Sequence, residues 1–271
     1  MPSRTLIAQP ASTEAQRAAS AQRRAAAHHR ALQRRRPRVS RLLAWLLAAW
    51  LGSGSLALAQ VSSGSLPAGA QVVVGNGQLQ QSNNLLIVQQ NSARLGLDWQ
   101  SFNIGSGATV EFRQPGAGSV ALNRVLGNSG TEIYGQLKAN GQVFLTNPNG
   151  VLFAPGAKVD VGGLVASSLD LSQQDFAAGR YIFAAGGSHG AVVNQGRLQA
   201  SAGGYLALFG NTVSNQGDIT VNAGSVVLAS GRAATVSISG SGLLSAVVTP
   251  STLQGSVDNS GRILATAASS R

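Results

Sequence analysis

The pentapeptide Asn194-Gln195-Gly196-Arg197-Leu198 returns 21 residues later as Asn215-Gln216-Gly217-Asp218-Ile219. Ala202-Gly203-Gly204 returns at the same interval as Ala223-Gly224-Ser225. A third copy of the turn, Asn259-Ser260-Gly261-Arg262-Ile263, lies 44 residues after Asn215, close to two periods, with Gly240-Ser241-Gly242-Leu243-Leu244 near the intermediate place. A fixed period of this kind means stacked units, each too small to bury its own apolar face. Twenty-one residues suit one coil of a parallel β-solenoid and are too few for a propeller blade of about 40–45 residues.

Within each unit the apolar residues alternate: Val143-x-Leu145, Val159-x-Val161, Leu206-x-Leu208, Val226-x-Leu228, Val236-x-Ile238. Period two marks strands, and Gly, Asn and Ser between the runs mark turns. The fold expected for residues 60–271 is therefore all-β, a parallel β-helix with short capping strands. Coils stack at about 4.8 Å, so some 212 residues would give on the order of ten coils. A β-sandwich is the competing architecture, but its turns recur every 8–12 residues or so without such identity. Only 11% of the residues are charged, which disfavours a salt-bridged helix bundle, and the absence of cysteine removes a disulfide framework.

The net charge of +11 is not spread evenly. Residues 1–59 carry ten arginines and one acid, whereas residues 60–271 carry ten basic and eight acidic residues. A basic groove for nucleic acid has no support in the second part, and no nucleic-acid partner is expected. The basic stretch 1–41 precedes the apolar run 42–51, and Ala57-Leu58-Ala59 follows. Ten apolar residues rise about 15 Å as a helix, half of what a bilayer core requires. The pattern is that of a long cleaved signal peptide with Ala57 and Ala59 at the cleavage site and Gln60 as the new N-terminus.

Catalytic chemistry has little to draw on. His189 is the one histidine after residue 60, in the Gly-rich stretch Gly186-Gly187-Ser188-His189-Gly190. It has no nucleophile-elbow context, and no metal cluster is expected from one histidine, no cysteine and dispersed acids. No cofactor or catalytic residue is assigned. One motif has a clear local reading: Asn147-Pro148-Asn149-Gly150 suits a tight turn, with Asn capping, Pro setting φ and Gly closing.

A longer set of strings carries a family likeness. These are Asp98-Trp99-Gln100-Ser101-Phe102-Asn103-Ile104-Gly105, Val120-Ala121-Leu122-Asn123-Arg124-Val125, Gly135 through Leu145, Asn147-Pro148-Asn149-Gly150-Val151-Leu152-Phe153 and Val161 through Asp170. Together, over roughly residues 65–265, they resemble the N-terminal secretion domain of filamentous-haemagglutinin-type two-partner secretion exoproteins. One branch of that family has an upstream Asn-Pro-Asn-Leu string. Ala121-Leu122-Asn123-Arg124 stands in that region here, which resembles the haem-uptake and high-molecular-weight-adhesin branch.

The resemblance implies a right-handed β-helix and a non-enzymatic exoprotein of adhesin type. It implies passage through the Sec machinery to the periplasm of a Gram-negative-type bacterium, then through a dedicated TpsB-type outer-membrane β-barrel to the cell surface or medium. A host-cell receptor or glycan is a further partner for the full exoprotein, and the domain itself is expected to be monomeric. The segments best placed to be read by the transporter are Asn147, Pro148, Asn149 and Gly150, and Phe102, Asn103 and Ile104. Two other functions remain open from the residues: a secreted polysaccharide-active β-helix enzyme, which needs acids and arginine gathered on one face, and an adhesin module that needs no partner. Family exoproteins run on well beyond this length, which leaves open whether the chain is a fragment of a longer adhesin.

Overall fold

The computed structural model describes residues 61–187, 190–238, 244–249 and 255–266. The signal segment, its cleavage site at Ala57, Ala59 and Gln60, and His189 lie outside the described residues.

The strands follow a three-faced coil. A cap comes first: β1 (Gln71–Val74) and β2 (Gly77–Ser82). β3 (Leu85–Gln90) then lies on a first face and β4 (Arg94–Trp99) on a second, and the cap strands pair with them antiparallel. The next coil repeats the walk with β5 (Thr109–Arg113) and β6 (Val120–Val125) and adds β7 (Thr131–Ile133) on a third face. β8 (Gln136–Ala139), β9 (Gln142–Thr146) and β10 (Val151–Phe153) follow the same order. β11 (Lys158–Ser167) spans the first two faces without a break.

The chain then leaves the coil for β12 (Asp170–Leu171), the one-turn helix α1 (Gln173–Ala177) and β13 (Tyr181–Ala184). It returns to the third face as β14 (Ala191–Asn194). β15 (Arg197–Gly210), β16 (Thr212–Asn215), β17 (Asp218–Asn222) and β18 (Ser225–Ser230) continue the coil. A second excursion forms β19 (Ala233–Ile238) and β20 (Leu244–Thr249) before β21 (Ser256–Asn259) and β22 (Arg262–Thr266) close the last described coil.

Every strand-to-strand pairing within the three faces is parallel beyond the cap. The first face is the longest, running β3-β5-β8-β11-β15-β17-β22. That is seven rungs among the described residues rather than about ten. The shortfall has a physical source: the two excursions and the cap use chain without adding coils. The spacing of 44 between Asn215 and Asn259 is likewise one coil, because the two residues are direct register partners. Leu244 belongs to the excursion strand β20, not to a coil turn, and residues 240–243 lie outside the described residues.

The two excursions meet. β12, β13, β19 and β20 form a separate antiparallel sheet in that order. It covers the outside of the second face and so creates a second core. The inner core holds Leu95, Ala121, Val143, Leu145, Leu164 and Leu208, among others. The outer core holds Val120, Leu122, Phe144, Val165, Tyr205 and Phe209 against Phe183, Ala234 and Val236. Second-face strands therefore read as near-continuous apolar runs, as in Val143-Phe144-Leu145 and Tyr205 to Phe209, because both sides are buried. First-face strands keep strict alternation, as in β3 and β15's first half.

The corners are built from stacked glycines. A Cβ on Gly217 would run into the carbonyl of Gly196, and one on Gly261 into that of Gly217. The Asn-x-Gly repeat thus marks a place where successive backbones lie too close for any side chain.

Candidate functional site

Asn147, Pro148, Asn149 and Gly150 form the corner between β9 and β10. The Gly150 amide donates to the Asn147 carbonyl at 2.9 Å, closing the turn. The Asn147 side chain accepts from the Asn149 amide at 3.0 Å and donates to the Ser129 carbonyl and the Thr131 hydroxyl, both at 3.0 Å. Its own amide donates to the Ser167 carbonyl at 2.9 Å. Asn147 is fully buried and joins three successive coils. Asn149 is exposed and donates to the Gly127 carbonyl at 2.9 Å. Pro148 is half-buried, and its carbonyl accepts from Gly190 at 3.1 Å. Gly150 has φ of 107°, and a Cβ there would sit 2.8 Å from the Ala191 carbonyl, so both conformation and space require glycine.

Phe102, Asn103 and Ile104 lie on the same side of the coil, two rungs earlier. Phe102 and Ile104 are buried, and Phe102 meets Trp99 edge-on with ring centres 5.3 Å apart. Ile104 bridges to Ile133 of β7, and the Asn103 side chain accepts from the Glu132 amide at 2.8 Å. Thr131 in turn donates from its amide to the Gly150 carbonyl at 3.0 Å. The fold therefore stacks the two segments on one face with β7 between them.

The chemistry of this face is hydrogen bonding. Its titratable pair is Tyr134 and Glu132, whose side chains meet at 3.2 Å. Burial first, and then the Glu132 charge, pushes the Tyr134 phenol up. Among the described residues no group of three His, Cys, Asp or Glu side chains is placed to hold a metal ion.

Sequence reasoning missed several buried polar residues that tie coils together. Asn123 accepts from the Trp99 indole at 2.9 Å and donates to the Phe144 carbonyl at 3.3 Å, fully inside the fold. Gln114 donates to Gln90 at 3.0 Å and to the Ser119 and Gln142 carbonyls, while accepting from the Gly141 amide. Their one sequence signal is an amide residue that continues the inward alternation, within β6 at Asn123 and just past the end of β5 at Gln114. Arg124 beside it is bidentate to Asp170 at 3.0 and 3.1 Å and reaches Asp98 at 3.5 Å. This clasp fastens the first excursion to the coil.

Residues 63–271 match the family described as the TPS secretion domain. The chain belongs to that family. It is 37% identical over 211 residues to the heme/hemopexin-binding protein of Haemophilus influenzae strain Rd, covering 75% of this chain and 23% of that protein. A second heme/hemopexin-binding protein from Haemophilus influenzae is 38% identical over 116 residues, 42% of this chain and 12% of that one. The chain thus spans about a quarter or less of the length of the curated relatives it matches. Among solved structures, the HMW1 secretion domain from Haemophilus influenzae superposes with a TM-score of 0.67 at 30% identity, over 73% of this chain and 53% of that one. TPS exoproteins are secreted by Gram-negative bacteria, and the domain implies a TpsB-type outer-membrane transporter. Members of the family are typically non-enzymatic.

Proposed function

We infer that this TPS domain is the secretion signal of an exported exoprotein of adhesin type, read by its transporter in the periplasm before the coils have closed. The observation that carries this reading is the family match over 63–271. The burial of the candidate segments supports its timing. Asn147, Phe102 and Ile104 are wholly inside the finished fold, so a transporter that reads them meets them before folding is complete. Pro148 and Asn149 are the side chains of that set that still reach the surface with Asn103. The coil is right-handed in this reading, as parallel crossover connections are in general. Sec export, cleavage after Ala59 and release at the cell surface complete the route. Coil-by-coil folding outside would oppose the chain's return.

The test separates folding from recognition. Asn147→Ala removes a buried side chain with three partners and should cost about 1–3 kcal/mol. Asn149→Ala removes two side-chain bonds, to the Gly127 carbonyl and the Asn147 side chain, at an exposed site and should shift the melting temperature far less than Asn147→Ala. Both variants are expressed beside the transporter, and extracellular yield, periplasmic yield and melting of the purified domain are measured. Lost export of Asn149→Ala with near-normal melting is the expected result. Normal export of both variants removes the corner as a recognition element.

A further inference from the structure

The outer sheet is assembled from two distant pieces of chain. β13 pairs with β12 through two residues and with β19 through four: Tyr181 with Val236, Ile182 with Thr235, Phe183 with Ala234 and Ala184 with Ala233. Between β13 and β19 lie β14 to β18, more than a full coil of chain. A chain delivered N-terminus first therefore has β13 in place long before β19 arrives.

Two surfaces stay open during that interval. The β19 side of β13 has unpaired backbone groups. Beside it, once β15 is laid down, its outward residues Tyr205, Ala207 and Phe209 await the cover of Ala234 and Val236, with which they are buried in the finished fold. The inner core contains none of these residues, so the coils themselves can stack without the cover. An open strand edge beside an apolar face is what strand addition by another chain requires. The strand that finally sits there states what fits: β19 turns Ala234 and Val236 inward and Thr235 and Ser237 outward. An open cleft of about 940 Å³ lies at one end of the seam, between Tyr181, Ile182, Val236 and Ser237 of the outer sheet and Asn140, Gly162 and Gly204 of the coil.

We propose that the β13 edge and the apolar face beside it are the surface the transporter holds, through a periplasmic β-strand of alternating small apolar and polar residues, and that β19–β20 displaces that strand as the last step of folding. This rests on the secretion reading above and names its contact surface. The native chain has no cysteine, so the closure can be controlled with an introduced pair. Ala184→Cys with Ala233→Cys joins register partners on the outer sheet. Val236→Asp places a charge under β19 and opens it without touching the inner core.

The probe is the immobilised soluble periplasmic part of the cognate transporter, offered the mature chain in each form. The opened Val236→Asp chain should bind at least tenfold more tightly than wild type, with retained β-sheet circular dichroism and increased dye binding to apolar surface. The oxidised cysteine pair should abolish binding, and reductant should restore it. Equal binding of the oxidised and reduced pair overturns the proposal, even if Val236→Asp fails to fold. Wild-type chain freshly diluted from denaturant is the reference. If it binds and the opened chain does not, the contact surface is wrong and the secretion reading stands. If even that chain fails to bind, the secretion reading falls first.

Discussion

Asn194, Asn215 and Asn259 form an amide ladder along the third face, the first two buried and Asn259 exposed on the last described coil. Asn194 donates to Asn215 and Asn215 to Asn259, each at 2.7 Å, while Asn194 accepts from the Gly196 amide. Burying an amide is costly unless its groups are paired, and stacking identical residues pairs each with the next. Asn215→Ala breaks the ladder in the middle, leaving a donor above and an acceptor below. It should destabilise the domain by about 1–3 kcal/mol, read as a lower urea midpoint with an unchanged slope. These residues were legible in the sequence because the chain repeats them at its coil length. Asn123 and Gln114 were not, because each makes a bond set used once, and no repetition announces it.

At the scale of elements, the second face shows where sequence patterns mislead. Alternation marked its strands correctly, as in Val143-x-Leu145, but the intervening Phe144 reports a second buried side that the period alone does not reveal. The excursions were hidden for a related reason. An insertion that makes one coil 44 residues long is numerically close to two coils of 21. The helix α1 is a local element with its own signature: Ser172 caps it, accepting from the Asp175 amide at 3.1 Å, and its hydroxyl donates to the Asp175 carboxylate at 2.7 Å. That hydroxyl first, and then Arg180, holds the Asp175 carboxyl below its usual range. A depressed folded value means the contribution is complete above about pH 4, the unfolded value, and is lost as pH falls through the folded one. Asp175→Asn should therefore melt below wild type at pH 7, and the gap should close as the pH is lowered past the folded value.

At the scale of the whole domain, stability is distributed by position along the stack. The inner strands β6, β9 and β11 have neighbours on both edges and buried residues on both sides. The last described strands β21 and β22 each pair with one neighbour, and all their residues are exposed. Amide hydrogen exchange should be slowest in β6, β9 and β11 and fastest in β21 and β22, with β17 between them. Uniform protection from β3 to β22 would mean the domain opens only as one unit.

The three corners of the coil are not equivalent. Where the third face meets the first, stacked glycines at 196, 217 and 261 fix the separation of successive backbones. Where the second face meets the third, the connection is one residue at Asn211, four at Asn147–Gly150, and a whole excursion at 168–190 and 231–255. Length is free at this seam because chain leaving it moves away from the stack and can return to the next rung in register. The seam is therefore a port for new sequence. Loops could be exchanged, lengthened or borrowed there over evolutionary time, and a foreign epitope could be displayed there, while the coil beneath kept its pitch.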